Sequence, residues 1–114
     1  MLRDETKYLQ DIAQRCEKIR WFTAGLAQSD LVTDERSYDA VVRNLGIIGE
    51  AAKHIPQSLR ARLPDIEWRK AAGLRDMPAH AYFAIDNDIL WNVLQNKVPQ
   101  LPEAINAFLN KQQG

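Results

Sequence analysis

The chain has 114 residues with 15 basic and 15 acidic side chains, so its net charge is zero, and 46% of its residues are hydrophobic. This length fits one domain over residues 1–114, and the hydrophobic fraction excludes a disordered chain. Zero net charge removes the basic excess that marks most nucleic-acid-binding proteins, so any RNA contact must depend on local clusters of cations.

The predicted first helix runs from about residue 2 to residue 27. Apart from polar gaps at Glu5 and Thr23, its apolar residues recur at alternating steps of three and four, the spacing of a helix packed in a bundle. They are Leu2, Leu9, Ile12, Cys16, Ile19 and Leu26. Cys16 is the only cysteine and falls within this stripe, so we expect a core thiol and not a nucleophile. One cysteine also excludes an intrachain disulfide and a cysteine-rich metal site.

The same N-terminal segment bears on the location of the protein. It carries acidic residues and lacks the apolar centre of a signal peptide. No apolar run in the sequence approaches the roughly 18 residues that cross a bilayer. We therefore expect a soluble, cytoplasmic protein without a membrane contact.

The predicted second helix follows a polar break at residues 28–33. Thr33 is the expected N-cap, and two acidic residues after it suit the first turn of a helix. Pro56 ends the helix, whose apolar stripe consists of Tyr38, Val41, Leu45, Ile48, Ala52 and Ile55. Gly46 and Gly49 each cost a helix about 1 kcal/mol against alanine, so we expect another helix to approach closely at these positions.

The next segment is expected to contain one short turn at residues 57–63 and a helix over residues 66–77. Asp65 is the expected cap of that helix. Pro78 has no N–H to donate and disfavours helical geometry in the residue before it. The helix should therefore kink or stop at Pro78, which puts residues 79–82 at a structural break.

A last helix is expected to begin after Asp86 as its cap. Pro99 and Pro102 should bend or interrupt it. No segment of the sequence shows a convincing alternation of polar and apolar residues with period two. We therefore predict an all-α fold, an antiparallel bundle of four main helices with a short fifth.

Three side chains around the expected break are suited to cutting RNA without a metal: Arg75, His80 and Tyr82. A histidine titrates near neutral pH, so it can take a proton from a ribose 2′-hydroxyl or give one to the leaving oxygen. An arginine offers a planar donor fork to phosphate and stabilises the charge of a pentavalent phosphorus. Asp76 can orient either residue, and Tyr82 can bond a phosphate or be modified.

The spacing of Arg75 and His80 sets a geometric condition on this chemistry. On a regular helix five residues turn through about 500°, so the two side chains diverge by about 140°. A break at Pro78 can re-aim His80 toward Arg75. Alternatively, a second subunit can bring its own copy of the motif opposite the first.

The segment from Arg75 to Asp86 resembles the Arg-x4-His-x-Tyr signature of the HepT-like branch of the HEPN superfamily. The stretch from Asn44 to Ala52 is similar to that family's second helix. Trp91 and Pro99 occupy positions where its last helix commonly has these residues. The length and the helical plan are similar as well, so the resemblance covers nearly the whole chain.

This resemblance implies a HEPN-like homodimer, with higher assembly left open, that cleaves RNA at a cleft shared by two motifs and uses no metal or other cofactor. Arg75 and His80 would be catalytic, and Asp76 would fill the polar position after the arginine. Tyr82 would receive AMP from an MntA-like minimal nucleotidyltransferase antitoxin. The chain would then be the toxin of a type VII-like toxin–antitoxin pair. Pro78 departs from the pattern, where an aliphatic residue is usual, and leaves the local backbone open.

The other candidate residues have structural interpretations. His54 is expected to complement the C-terminus of the second helix and not to bind a metal. Glu50 is expected to be solvated or paired, with approach to the motif as the alternative. The three tryptophans, Trp21, Trp68 and Trp91, are expected in the core, although tryptophans can stack on bases.

A locally basic stretch motivates a second hypothesis. Its cations are Arg60, Arg62, Arg69, Lys70 and Arg75, and we interpret it as a solvated helix face. Because the patch is weak, the chain can instead be a non-catalytic binding module that scaffolds or regulates a nucleotidyltransferase. In that case Arg75 and Tyr82 would hold nucleotide, and the purified protein would cut no RNA.

Overall fold

A computed structural model describes residues 2–80 and 85–113, and within them the chain is helical and contains no strand. This confirms the all-α prediction. The helices are α1 (Leu2–Thr23), α2 (Gln28–Thr33), α3 (Glu35–Lys53), α4 (Gln57–Arg60), α5 (Trp68–Gly73), α6 (Met77–His80), α7 (Asn87–Asn92) and α8 (Gln100–Gln113). A 3-10 turn (Leu74–Asp76) joins α5 to α6, and a π-turn (Val93–Lys97) follows α7.

Helices α1 and α3 form the centre of the fold and run antiparallel. Arg15 Nη1 donates to Asn44 Oδ1 at 3.4 Å. About two to three turns further along, the ring of Tyr8 stacks on that of His54, with centroids 5.0 Å apart. Helix α8 packs against α1. The largest fully buried side chains of the core are Leu9, Ile12, Cys16, Ile19, Leu31, Val41, Leu45, Ile48, Leu90, Val98 and Ile105. The apolar stripes predicted for the first two helices are therefore core faces from Leu9 to Ile19 and from Val41 to Ile55. The Leu2 side chain lies outside the described part of the structure, and Leu26 follows the end of α1.

The connection from α1 to α3 differs from the prediction. Helix α1 ends at Thr23, and Gly25 turns the chain with a φ of 77°. The expected polar break at residues 28–33 is wrong, because these residues form α2. The Asp30 carboxylate accepts the backbone N–H of Ala27 at 3.0 Å, which satisfies a free donor at the start of this short helix.

The N-cap of α3 is Asp34 and not Thr33. The Asp34 carboxylate accepts the backbone N–H of Ser37 at 3.4 Å and its hydroxyl at 2.9 Å. These hydrogen bonds favour the ionised form and lower the pKa of Asp34. Thr33 is the last residue of α2, and its hydroxyl donates back to the Ser29 carbonyl at 2.9 Å. A hydroxyl engaged in the preceding helix does not cap the next one.

Arg60 closes the C-terminal end of α3. Its Nε donates to the Ile55 carbonyl at 2.9 Å and its Nη2 to the Ala52 carbonyl at 3.0 Å. Its guanidinium also lies 5.7 Å from the ring centroid of Trp68, whose Nε1 donates to the Leu63 carbonyl at 3.1 Å. Arg60 therefore satisfies carbonyls that the helix end leaves without partners, and it holds α4 and α5 against α3.

The helix predicted over residues 66–77 is shorter, and Asp65 does not cap it. Helix α5 begins at Trp68 after Glu67, without a side-chain cap. The Glu67 carboxylate instead accepts from Lys70 Nζ at 2.9 Å and Lys97 Nζ at 3.1 Å. Hydrogen bonds from Lys70 and then from Lys97 lower the pKa of Glu67, and the second bond ties α5 to the π-turn.

The last predicted helix is confirmed at its start and interrupted near Pro99. The Asp86 carboxylate accepts the backbone N–H groups of Asp88 at 3.0 Å and Ile89 at 3.2 Å, as expected of an N-cap. The π-turn separates α7 from α8, and Pro99 lies directly before α8. Pro102 lies in the first turn of α8, where a missing N–H costs no helical hydrogen bond.

Candidate active site

Gly46 and Gly49 of α3 are the points where the Arg75 segment touches that helix. A Cβ on Gly49 would lie 2.0 Å from the backbone nitrogen of Arg75 and 2.7 Å from its Cα, so no larger residue fits without moving the backbone. A Cβ on Gly46 would lie 2.7 Å from Pro78 Cγ. The close approach predicted from the two glycines is confirmed, and it fixes the backbone of Arg75 on α3.

The Arg75 side chain points away from this contact into solvent. Arg75 and Asp76 belong to the 3-10 turn, and their side chains are 41% and 59% exposed. Arg75 Nε lies 3.9 Å from Asp76 Oδ1, a weak pair in water. Asp76 therefore lies close enough to influence the orientation of the guanidinium, but it leaves the guanidinium free to bind a phosphate. The result is an accessible cation on a buried, fixed backbone.

Pro78 does not break the chain, contrary to prediction. Met77 is helical, with φ −55° and ψ −45°, and α6 continues to His80. The proline is accommodated because it is the second residue of α6, where its missing N–H costs little. The change in winding occurs before it, in the 3-10 turn. A break at Pro78 that re-aims His80 is therefore absent from the backbone.

The described residues bring together only part of the predicted site. Arg75 and Asp76 are adjacent and accessible. His80 is placed as the last residue of α6 by its backbone, but its side chain lies outside the described part of the structure. Tyr82 belongs to residues 81–84, which also lie outside it. The roles assigned to His80 and Tyr82 therefore stay predictions.

The structural interpretations of His54 and Glu50 agree with the geometry. His54 is the C-cap residue of α3, and its Nε2 lies 3.4 Å from Glu50 Oε1 one turn earlier. The His54 ring also stacks on Tyr8. Glu50 is thus a paired carboxylate at the surface.

The locally basic stretch does not form one helix face. It runs across α4, α5 and the 3-10 turn, and several of its cations already have partners. Arg60 caps α3, the Arg62 guanidinium lies 5.0 Å from the Phe108 ring centroid, and Lys70 bonds to Glu67. The stretch is therefore not one continuous patch of free cations, although the side chain of Arg75 remains exposed.

The tryptophans do not share one environment. Trp68 is buried at 8% exposure, and Trp91 is half-buried. Trp21 is 77% exposed, so the expectation of a core residue is wrong for it. Residue 21 falls beside the apolar stripe of α1 and lines an open surface cavity that Trp91 and Pro99 border on the other side.

Within residues 2–80 and 85–113 no three His, Cys, Asp or Glu side chains are grouped to hold a metal ion. No helix in that part of the chain is long and apolar enough to cross a membrane. Cys16 is buried, and desolvation raises the pKa of its thiol to about 12, as expected for a core residue.

Comparison with known proteins gives matches along most of the chain. The model of the family described as "Ribonuclease HepT-like" matches residues 12–108, which include the whole Arg75 motif. A probable ribonuclease HepT of Thermococcus cleftensis is 41% identical over 101 residues, 89% of this chain and 92% of that protein. A putative RNase of Caldanaerobacter subterraneus subsp. tengcongensis is 34% identical over 105 residues, 92% of this chain and 94% of that protein. No solved structure matches the chain.

Proposed function

The chain belongs to the HepT-like ribonuclease family, and we propose that it is a metal-independent endoribonuclease acting as the toxin of a toxin–antitoxin pair. The observation that carries the proposal is the setting of Arg75. Its backbone is fixed against Gly49, while its guanidinium stays accessible on the 3-10 turn. A guanidinium that projects from a fixed backbone can reach a phosphate and stabilise the negative charge that develops in a transition state.

The proposed reaction is a transesterification within the RNA strand. His80 takes the proton of a ribose 2′-hydroxyl, and the 2′-oxygen attacks the adjacent phosphorus. Arg75 donates to the non-bridging oxygens, whose negative charge grows as phosphorus becomes five-coordinate. The bond to the 5′-oxygen then breaks, and the imidazolium of His80 gives the proton that it took to that oxygen as it leaves. The products carry a 2′,3′-cyclic phosphate and a 5′-hydroxyl.

We propose that two subunits share the site, and the helical backbone between Arg75 and His80 supports this proposal. Since Pro78 does not interrupt the helix, the divergence of about 140° expected on a regular helix is not removed by a break. A homodimer avoids the difficulty, because the arginine of one subunit can face the histidine of the other. Higher assembly is left to experiment.

The proposed partner is an MntA-like minimal nucleotidyltransferase that adds AMP to Tyr82. Tyr82 is two residues beyond His80, so the adduct would bring a phosphate and a base to the cleft. The negative phosphate would repel the RNA backbone, and the bulk of the nucleotide would exclude the substrate. Neutralisation would thus require no unfolding of the toxin.

The test is a cleavage assay on mixed RNA in EDTA, with protein shown by mass to carry no AMP on Tyr82. Wild type should cut and leave cyclic phosphate ends. His80→Ala should cut at least about a hundredfold more slowly, because the proton acceptor is lost. His54→Ala removes the other histidine, outside the motif, and is the matched control that should retain activity.

The second hypothesis gives a different result in this assay. If unmodified wild type does not cut RNA but binds a nucleotidyltransferase tightly, the chain is a binding module. If His80→Ala cuts as fast as wild type while both proteins are folded by circular dichroism, the catalytic role of His80 is wrong.

A further inference from the structure

Outside the Arg75 motif, the surface between α1 and α3 forms a groove with a concentration of positive charge. Arg15 and Lys18 line it from α1, and Arg43 lines it from α3. Asp39 is the one acidic residue among its lining residues, so the groove carries a net charge of about +2 in a chain whose net charge is zero. Its cavity measures about 400 Å³. We call it the basic groove.

The cations of the basic groove are available for a ligand. Within the described residues, Lys18 and Arg43 make no hydrogen bond or ion pair with another side chain. Arg15 is oriented by the buried Asn44, whose Oδ1 accepts one guanidinium N–H at 3.4 Å. The Asn44 amide is itself fixed, since its Nδ2 donates to the Ala40 carbonyl at 2.8 Å. Arg15 therefore keeps four donors in a preset orientation.

One end of the basic groove is aromatic. Phe22 lines the groove, and the ring of Trp21 meets that of Phe22 edge-on, with centroids 5.3 Å apart and planes at 73°. Trp21 lies next to the groove and lines the neighbouring cavity, and because it is 77% exposed its ring is open to a planar ligand. Cations along a groove with an exposed aromatic ring are the combination that binds single-stranded nucleic acid.

The basic groove adjoins the Arg75 motif along α3. Arg43 precedes Gly46 by three residues, which corresponds to about 4.5 Å along the helix axis and about 60° around it. Gly46 is the residue on which Pro78 packs. A strand whose phosphate lies at Arg75 can therefore continue over α3 into the groove.

We propose that the basic groove binds a single-stranded segment of RNA next to the cleavage site. Arg15, Lys18 and Arg43 contact its phosphates, and Trp21 stacks on an unpaired base. The charge of the groove is complementary to a phosphodiester backbone, and a stacking ring has no access to bases inside a duplex. The proposal rests on the proposed ribonuclease function and adds to it the preference for single strands.

The experiment measures binding of a fluorescent, single-stranded 2′-O-methyl oligonucleotide of twelve residues by anisotropy over a range of salt concentrations. This probe has no 2′-hydroxyl and is not cut, so binding is separated from cleavage. Lys18→Ala/Arg43→Ala should bind about tenfold or more weakly, because two contacts to charged phosphates are lost. The slope of log K against log salt should become shallower by about 1.4, or about 0.7 for each phosphate contact.

Two control proteins make the result specific. Arg69→Ala/Lys111→Ala removes two exposed cations on α5 and α8 and should keep the wild-type slope. Lys18→Arg/Arg43→Lys keeps the charges of the groove and should also keep it. Equal losses in both alanine variants, or no loss in either, would overturn the proposal. A changed oligomeric state in sedimentation with unchanged RNA binding would also overturn it, because the groove would then be a protein contact.

Trp21 gives an independent readout of the base contact. Trp21→Ala should weaken binding of the single strand about fivefold or more, since stacking on one base contributes about 1–3 kcal/mol, and it should leave the salt slope unchanged. A duplex of the same sequence should compete poorly against the wild type. If the groove variants lose binding but wild type cuts no RNA, the ribonuclease proposal fails and the groove proposal is retained. If wild type cuts RNA but the groove variants bind normally, the groove proposal fails and the ribonuclease proposal is retained.

Discussion

Single residues of this chain show how burial decides chemical behaviour. Cys16 is 0% exposed, and desolvation raises the pKa of its thiol to about 12. Its place in the apolar stripe of α1 already predicted a core residue. The N-cap of α3, by contrast, was not predictable from residue type alone, because Thr33 and Asp34 are both good N-cap residues. Asp34 is the cap because Thr33 is the last residue of α2.

Cys16 should be unreactive in the folded protein. At about pH 8 a thiol with a pKa near 12 is ionised in about one molecule in ten thousand, and the thiolate is the reactive form. An aromatic disulfide reagent should therefore not modify native protein over an hour, whereas protein in guanidinium chloride should react with one equivalent. Fast modification in native buffer would show that α1 opens readily or that the site is not buried.

At the scale of elements, the contact between α3 and the Arg75 segment is the feature on which the site depends. Two glycines three residues apart lie on one side of α3 and admit the backbone of the 3-10 turn and the ring of Pro78. Helices that meet at small residues can bring their backbones close together. Here the close contact fixes the backbone of Arg75, the catalytic candidate, while its side chain remains exposed to solvent.

Gly49→Ala should destabilise the protein. The new Cβ would lie 2.0 Å from Arg75 N, and overpacking of this kind costs about 1–3 kcal/mol. Gly73→Ala is the control, since nothing lies within 4 Å of its Cβ position and its φ is −63°. That change should stabilise by about 0.4–1 kcal/mol. Guanidinium chloride unfolding measures both, and equal stabilities would mean that the backbones are not in contact.

At the scale of the whole molecule, the question is whether one chain holds a complete site. The chain is helical from Leu74 to His80, so five residues separate the two catalytic candidates on a nearly continuous helix. A single chain then has difficulty presenting both side chains to one phosphate. In the proposed homodimer, a symmetric pair of chains would form two equivalent sites, each with an arginine from one copy and a histidine from the other.

Mixed subunits test this arrangement. Arg75→Ala and His80→Ala should each be inactive alone. When the two are unfolded together and refolded, half of the dimers should be mixed, and one of the two sites in each should contain both residues. About a quarter of the wild-type activity should return. A mixture that stays inactive although mixed dimers are present by native mass spectrometry would place Arg75 and His80 of one chain in the same site.

The sequence predicted the helical class, the core faces of the first two helices, the core thiol, the capping role of Asp86 and the importance of Gly46 and Gly49. These features depend on short-range periodicity and on the conformational needs of individual residues. The Arg75 motif was also found from sequence. Its identification depended on a family resemblance, since an arginine and a histidine at this spacing are common in helices.

The predictions that failed depend on where neighbouring elements begin and end. Residues 28–33 are helical because α2 begins at its own cap, and Pro78 is tolerated because α6 begins one residue before it. Arg60 binds carbonyls at the end of α3 and is not a solvated cation. The basic groove depends instead on residues that are distant in sequence. Arg15 and Lys18 precede Arg43 by more than twenty residues, and nothing in the local pattern of either helix predicts that they line one cavity.

The sequence by itself determined which residues are apolar at helical spacing and which can act on a phosphate, because these are properties of each side chain and its near neighbours. Only the tertiary structure decided where those side chains meet. The antiparallel packing of α1 on α3 brought three cations together, and the two glycines of α3 set the position of Arg75. These positions follow from the packing of the whole core, where side chains from distant parts of the chain must fit together at close-packed density.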